Sequence, residues 1–266
     1  MILKNTKINW GRQKKMHKPV TRISTRGYYD LSNGSTLKKN PYHFYPKKEL
    51  EKLVGSKELV IMIHGLRNDN AGAVQKTLLA KNRLKQLGYS YPVIGYSYDS
   101  NTKGAHLIAH ADKALEVGVL IAKKNGRNLG MFIEDFKVKS SQTKIRLMGH
   151  SLGSQVIIST LEHLSKKGKN LGIIESVYFF GASISHKIIF SKKYRAILDS
   201  IVNTKLINYY SPTDEVLFWA NKANYVDGPL GLNAVTGITI PKFIQRRVAP
   251  ENHRFVSYAA VLKSFP

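Results

Sequence analysis

The chain contains no cysteine in its 266 residues. Disulfides, thiolate nucleophiles and cysteine–zinc sites are thereby excluded. Acidic residues are scarce: 17 Asp and Glu stand against 42 Lys and Arg, a formal charge of +25. Such an excess favours anionic partners such as nucleic acid, acidic lipid or an acidic substrate; its bland counterpart is a solvated basic surface. The bias is steepest at the start, where residues 1–50 hold 12 Lys/Arg and 2 Asp/Glu. No apolar run has the length of a membrane span. The stretch from Met1 to Trp10 lacks the apolar core of a signal peptide, so a cytoplasmic location is expected. Phosphate-loop and dinucleotide fingerprints are missing too, which argues against a nucleotide enzyme.

Forty-two per cent of the residues are hydrophobic, enough for one α/β domain with a sizeable core. Residues 1–20 read as a basic, irregular arm with Trp10 and Met16 as isolated apolar points. Thr21 to Leu31 has strand-like composition, and Asn33-Gly34 offers a hairpin turn. Pro41 to Pro46 reads as an aromatic linker. The pattern then becomes regular. Strands are expected at 58–63, 91–98, 176–180 and 205–210, the first a continuous apolar run suited to a strand buried on both faces. Helices are expected at 71–87, 104–124 and 194–201, with an apolar helix after His253. Such alternation predicts a mostly parallel central sheet with helices on both faces. The boundaries that follow are a basic N-terminal extension over 1–50 and an α/β domain over 51–266. Within that domain, 220–250 has three Gly, three Pro and little period, and is the candidate cap or lid.

The stretch that organises this reading is Lys144 to His163. An apolar strand ends in Gly149-His150-Ser151-Leu152-Gly153, and a helical pattern with Val156, Ile157, Leu161 and Leu164 follows. Strand, Gly-x-Ser-x-Gly, helix is the context of a nucleophile elbow. It predicts a strained Ser151 above the sheet edge, flanked by glycines because a Cβ at either would crowd the crossing. In parallel sheets, sites lie beyond the carboxyl ends of the strands. His64, Asp99, Ser151, Asp214 and His253 all follow strands or their expected ends, and are candidates for one cleft.

With these residues the chain, from about residue 55 to 266, resembles the α/β-hydrolase superfamily. The resemblance rests on Gly149 to Gly153 in its setting, on His64-Gly65 after the first core strand, and on a later acid followed by a histidine. Within the superfamily, Phe180-Gly-Ala-Ser183, Asn208 to Asp214, and His253 followed by Tyr258 look like the DUF726-type branch. The resemblance implies an α/β-hydrolase fold and the chain order serine, acid, histidine. It points to Ser151 as nucleophile, Asp214 as acid and His253 as base, with the N–H groups of Leu66 and Leu152 as the oxyanion hole. The loop His64-Gly-Leu is not the triple-glycine form, which by resemblance leans towards medium-sized acyl groups.

Other residues compete for these roles. Glu215 is the simplest alternative to Asp214; Asp99 precedes the serine and reads as a helix cap or cleft wall; Asp227 reads as surface. His150 adjoins Ser151 and reads as structural, and His64 as a brace for its loop. His17 and His43 lie in the unmatched N-terminal region, and His163 and His186 lack a motif. His106 and His110 share a helix face at zinc-like spacing, but residue 107 is Leu, where the metalloprotease motif needs its glutamate. The expectation is a serine hydrolase cleaving carboxylic esters, esterase- or lipase-like, without metal or cofactor. Lactone, amide or thioester hydrolysis, or acyl transfer, would use the same triad. A non-catalytic basic protein that binds nucleic acid or acidic membrane is the other class, although no nucleic-acid-binding motif is present. The expected partners are a small acyl ester and, through the basic N-terminal region, an anionic surface.

Overall fold

The computed structural model describes residues 19–104, 111–237 and 240–266. The N-terminal arm through Lys18, with Trp10, Met16 and His17, lies outside them, as do His106 and His110. Eight strands form one sheet: β1 (Arg22–Ser24), β2 (His43–Tyr45), β3 (Glu58–Ile63), β4 (Val93–Ser97), β5 (Lys144–His150), β6 (Ile174–Phe180), β7 (Val202–Tyr210) and β8 (Phe243–Arg247). Their order is β2-β1-β4-β3-β5-β6-β7-β8. Every pairing is parallel except β1 with β2.

The helices are α1 (Asn70–Gln86), α2 (Ala111–Lys139), α3 (Gly153–Ser165), α4 (Lys187–Phe190), α5 (Lys192–Ile201), α6 (Glu215–Lys222) and α7 (Phe255–Val261). Side chains of a strand alternate between faces. Leu59, Ile61 and Ile63 of β3 therefore pack with α2, α3 and α5 on one side, through residues such as Ile121, Ile157 and Leu198. Val60 and Met62 pack with α1 and α7 on the other, through Leu84, Phe255 and Tyr258. The sheet is thus mostly parallel and covered by helices on both faces, the architecture expected from the alternation of strand and helix. No helix among the described residues is long and apolar enough to cross a membrane.

Three differences from the sequence reading have physical causes. The helix expected to stop at Lys124 runs to Lys139, because the buried residues Leu129, Phe132, Ile133 and Phe136 continue its apolar face. Asn125-Gly126 lies inside it: a Cβ on Gly126 would sit 2.3 Å from Ser159 Cβ and 2.5 Å from that residue's carbonyl carbon, so the α2 backbone lies directly against the α3 backbone there. Residues 19–50 are not an extension. Strands β1 and β2 complete the sheet, Ile23, Tyr28 and Phe44 are in the main core, and the Thr25 and Tyr29 hydroxyls donate to Asn125 and Asn128 of α2. The described residues of 220–250 do not form a separate cap. They hold the end of α6, a segment tied to the sheet, and β8. Gly231 N–H donates to Ala182 O (2.9 Å), Leu230 N–H to Ile184 O (2.8 Å), and Asn208 Nδ2 to Leu230 O (2.7 Å). A Cβ on Gly231 would lie 2.2 Å from the Ala182 nitrogen, so the two backbones touch.

The register brings the carboxyl ends of the central strands level. Ile63 pairs with Gly149, Gly149 with Phe179, and Phe179 with Asn208. The loops after β3, β5, β6 and β7 therefore open along one edge.

Candidate active site

Ser151 sits between β5 and α3 with φ of 51°. A non-glycine residue in the left-handed region costs about 1–3 kcal/mol and persists only where its surroundings impose it. Here the surroundings are tight. A Cβ on Gly153 would lie 2.5 Å from Ile63 O, and one on Gly149 would lie 2.7 Å from Ile157 Cδ1 and 3.1 Å from the Gly153 backbone. The Ser151 N–H donates to Phe180 O on the neighbouring strand (3.0 Å). Strand and helix therefore cross at van der Waals distance, and only a sharp turn joins them.

The hydroxyl of Ser151 faces an imidazole from far along the chain. His253 Nε2 is 2.9 Å from Ser151 Oγ, and its Nδ1 is 2.7 Å from Asp214 Oδ2. With Nδ1–H donating to the carboxylate, Nε2 is left as the acceptor for the serine proton. His253 lies between β8 and α7, and Asp214 caps α6 from the end of β7. Asp214 is only 2% exposed. Its Oδ1 accepts the Leu217 N–H (3.1 Å) and its Oδ2 also accepts the Tyr258 hydroxyl (2.6 Å). Burial alone would raise this carboxyl; hydrogen bonds from His253 and Tyr258, with the His253 charge, outweigh it and hold the group below the ordinary carboxylate range.

Two more histidines serve the site without facing Ser151 Oγ. His150 is buried, and its Nε2–H donates to the backbone oxygen of His253 (2.7 Å). Burial, then the nearby His253, pushes it down to about 3, so it stays neutral. His64 is likewise pushed down to about 3 by burial and then by the Arg26 guanidinium. Its Nδ1–H donates to Gly65 O (2.9 Å), and its Nε2 accepts the Tyr98 N–H (3.2 Å).

The loop after β3 passes directly over Ser151. A Cβ on Gly65 would lie 2.8 Å from Ser151 Cβ and 3.3 Å from its Oγ. The Gly65 oxygen is held from the other side by His64 and by Asn68 Nδ2 (3.1 Å). In a trans peptide the N–H points opposite to the carbonyl, which turns the Leu66 N–H away from those two groups. Leu152 precedes the first turn of α3, where N–H groups have no helical partner. Among the described residues, neither the Leu66 nor the Leu152 N–H has a backbone or side-chain acceptor.

The remaining expected residues lie elsewhere. Glu215 is exposed on the first turn of α6, and the His253 imidazole bonds to Asp214 instead. Asp227 is exposed and pairs with Lys187. Asp99 is neither a cap nor a cleft wall: it accepts three backbone N–H groups of the N-terminal segment, from Gly27, Tyr28 and Tyr29. His163 faces Glu134, His186 Nδ1 meets Gly228 O, and His43 packs edge-on against Tyr28. Among the described residues no group of three or more His, Cys, Asp or Glu is arranged to hold a metal. Sequence reasoning assigned no role to Tyr258 or Arg26. Tyr258 stood one helical turn and a residue beyond His253, a spacing that could have flagged it; nothing near Arg26 marked it.

Residues 105–240 match the family described as "Protein of unknown function (DUF726)". A stretch of 129 residues is 34% identical to the probable lipase MIL1 of Saccharomyces cerevisiae, covering 48% of this chain and 10% of that protein. The chain thus spans about a tenth of the length of that curated relative. Among solved structures, the type II thioesterase YbtT of a yersiniabactin pathway aligns with a TM-score of 0.39 at 12% identity, over 77% of this chain and 89% of its own. Phospholipase PlaB of Legionella pneumophila aligns with a TM-score of 0.29 at 12% identity, over 55% of this chain and 30% of its own.

Proposed function

The chain belongs to the DUF726 family, and from that premise we propose that it is a serine hydrolase cleaving carboxylic esters through an acyl-enzyme. The observation that carries the reading is one hydrogen-bonded line, Ser151 to His253 to Asp214, with links of 2.9 and 2.7 Å. Serine is a poor nucleophile until a base takes its proton. In the proposed reaction Ser151 Oγ attacks the acyl carbonyl carbon while its proton passes to His253 Nε2. Asp214, held ionised, supports the imidazolium through Nδ1–H. The carbonyl π electrons move onto oxygen, and the N–H groups of Leu66 and Leu152 receive that charge; each such donor supplies about 2.7–4 kcal/mol to the transition state. The carbonyl re-forms, the alkoxide leaves with the proton from His253, and the acyl group stays on Ser151. Water then attacks the acyl carbon, giving its proton to His253; breakdown returns that proton to Ser151 and frees the acid. The name of the yeast relative, a probable lipase, supports an acyl ester over an amide as the bond cleaved.

The test compares the protein with Ser151→Ala, using p-nitrophenyl butyrate hydrolysis and labelling by a fluorophosphonate. The expected result is turnover and a single label mapped to Ser151 in the native chain. Both should vanish in the variant, with an unchanged thermal midpoint. Full hydrolysis by Ser151→Ala would falsify the assignment.

A further inference from the structure

An oxyanion donor contributes only if it is held in place before charge develops. The loop that carries Leu66 is fastened by a residue from outside the consecutive βα units. Arg26 follows β1, and its guanidinium spends every arm on this region. Nη1 donates to Asn68 O (2.9 Å), and Nη2 to Asp69 O (2.8 Å) and to His64 Nε2 (3.3 Å). Nε donates to Ser97 Oγ on β4 (2.9 Å). The planar fork therefore spans the loop from its first residue to the cap of α1, with β4 as anchor. A guanidinium suits this because its donors are fixed in one plane, whereas an ammonium is a point donor on a flexible stem.

The contacts run on to the nucleophile. His64 accepts from Arg26 at Nε2, which leaves its proton on Nδ1, and Nδ1–H holds Gly65 O. Asn68, whose carbonyl Arg26 holds, returns its amide to Gly65 O and Leu66 O (3.1 and 2.8 Å). Asp99 fixes the other end, drawing the N–H groups of residues 27–29 to the end of β4 at 3.1–3.2 Å. The segment is thus clasped from both sides.

We infer that Arg26 is a positioning residue for the oxyanion loop, so that the segment around β1 is part of the catalytic apparatus. It touches neither substrate nor Ser151; it acts through His64 and Asn68 on the peptide that presents the Leu66 N–H. The inference rests on the serine-hydrolase reading above, and the experiment separates the two.

Native protein, Arg26→Ala and Arg26→Lys are compared for hydrolysis of p-nitrophenyl butyrate, for thermal midpoint, and for inhibition by an alkyl trifluoromethyl ketone. That ketone forms a tetrahedral adduct whose oxyanion needs the same donors. Native protein that neither turns over the ester nor binds the ketone overturns the hydrolase reading and this inference together. With active native protein, folded Arg26→Ala should lose about 10²-fold in kcat, the scale of an ångström-sized misplacement. KM should change by less than about threefold, and ketone affinity should fall in proportion to kcat/KM. Arg26→Lys should keep the fold and recover only part of kcat; it decides the matter by the same constants if the alanine variant does not fold. Native-like kcat and ketone affinity in either folded variant, or failure of both variants to fold, overturns the inference and leaves the hydrolase reading standing.

Discussion

The Asp214 carboxylate takes three hydrogen bonds, from His253 Nδ1–H, the Tyr258 hydroxyl and the Leu217 N–H. The Tyr258 ring also fills the space beside Gly181, whose φ is 52° and whose Cβ, if present, would lie 2.9 Å from the ring. Tyr258→Phe keeps that packing and removes one charge-assisted bond. It should cost about 1.5–3 kcal/mol of stability, read from urea unfolding. A loss below half that range would mean that the hydroxyl contributes little to holding the acid. At this scale the sequence was informative where a residue stands in a local pattern. Ser151 has its flanking glycines, and Asp214 and His253 follow it in the order that the fold requires. Tyr258 was legible only as part of a motif and Arg26 not at all, because each acts on a partner placed by the fold: Asp214 is in another loop, and His64 is reached across β4.

Two close crossings decide how the elements fit. At Gly126 the long helix α2 meets Ser159 of α3, and at Gly153 the start of α3 meets the end of β3. Gly153→Ala offers a direct measurement. The gain in helix propensity is at most about 1 kcal/mol, and less at a first-turn position. Against it, the new Cβ would lie 2.5 Å from Ile63 O and 2.9 Å from His64 O, backbone oxygens that cannot rotate away. Overpacking of that kind costs about 1–3 kcal/mol, so the clash wins. The variant should melt lower than native protein and label more slowly with a fluorophosphonate, because Ser151 and Leu152 lead directly into α3 and are displaced when it shifts. An unchanged midpoint and labelling rate would sink the tight-crossing account. Elements with a continuous apolar run, such as β3 and β6, were legible as strands. Strand β8 was not: only Phe243 of its five residues is buried, so Phe-Ile-Gln-Arg-Arg carries no clean period. Strand β2 was hidden between prolines, with one buried residue of three.

For the molecule as a whole, acid is the informative stress. His64 and His150 are buried and pushed from 6.5 down to about 3, chiefly by burial. In the unfolded chain they return to about 6.5. A depressed folded value means that the unfolded state binds the extra protons. Stability is therefore full above about pH 6.5 and falls as pH drops towards 3, by about 1.4 kcal/mol per pH unit for each histidine. Depressed carboxylates, Asp214 and the Arg146-paired Glu58, add a further loss at lower pH. Urea midpoints at pH 7, 6, 5 and 4 should decline throughout, and His150→Asn should flatten the slope; a level profile from pH 6.5 to 4.5 would contradict buried neutral imidazoles. The architecture was legible at this scale from the alternation of strand and helix, but the sheet's far edge was only half so: β1 lies in the stretch with strand-like composition, whereas β2, with one buried residue, lies in the stretch that read as a linker. That edge has a wider consequence. The loop over Ser151 is gripped from the β1 flank by Arg26, while the imidazole that meets the Ser151 hydroxyl arrives from the β8 flank with His253. Exchange of gene segments with a relative would thus preserve chemistry only when both ends came from the same parent, however well the middle of a chimaera were matched.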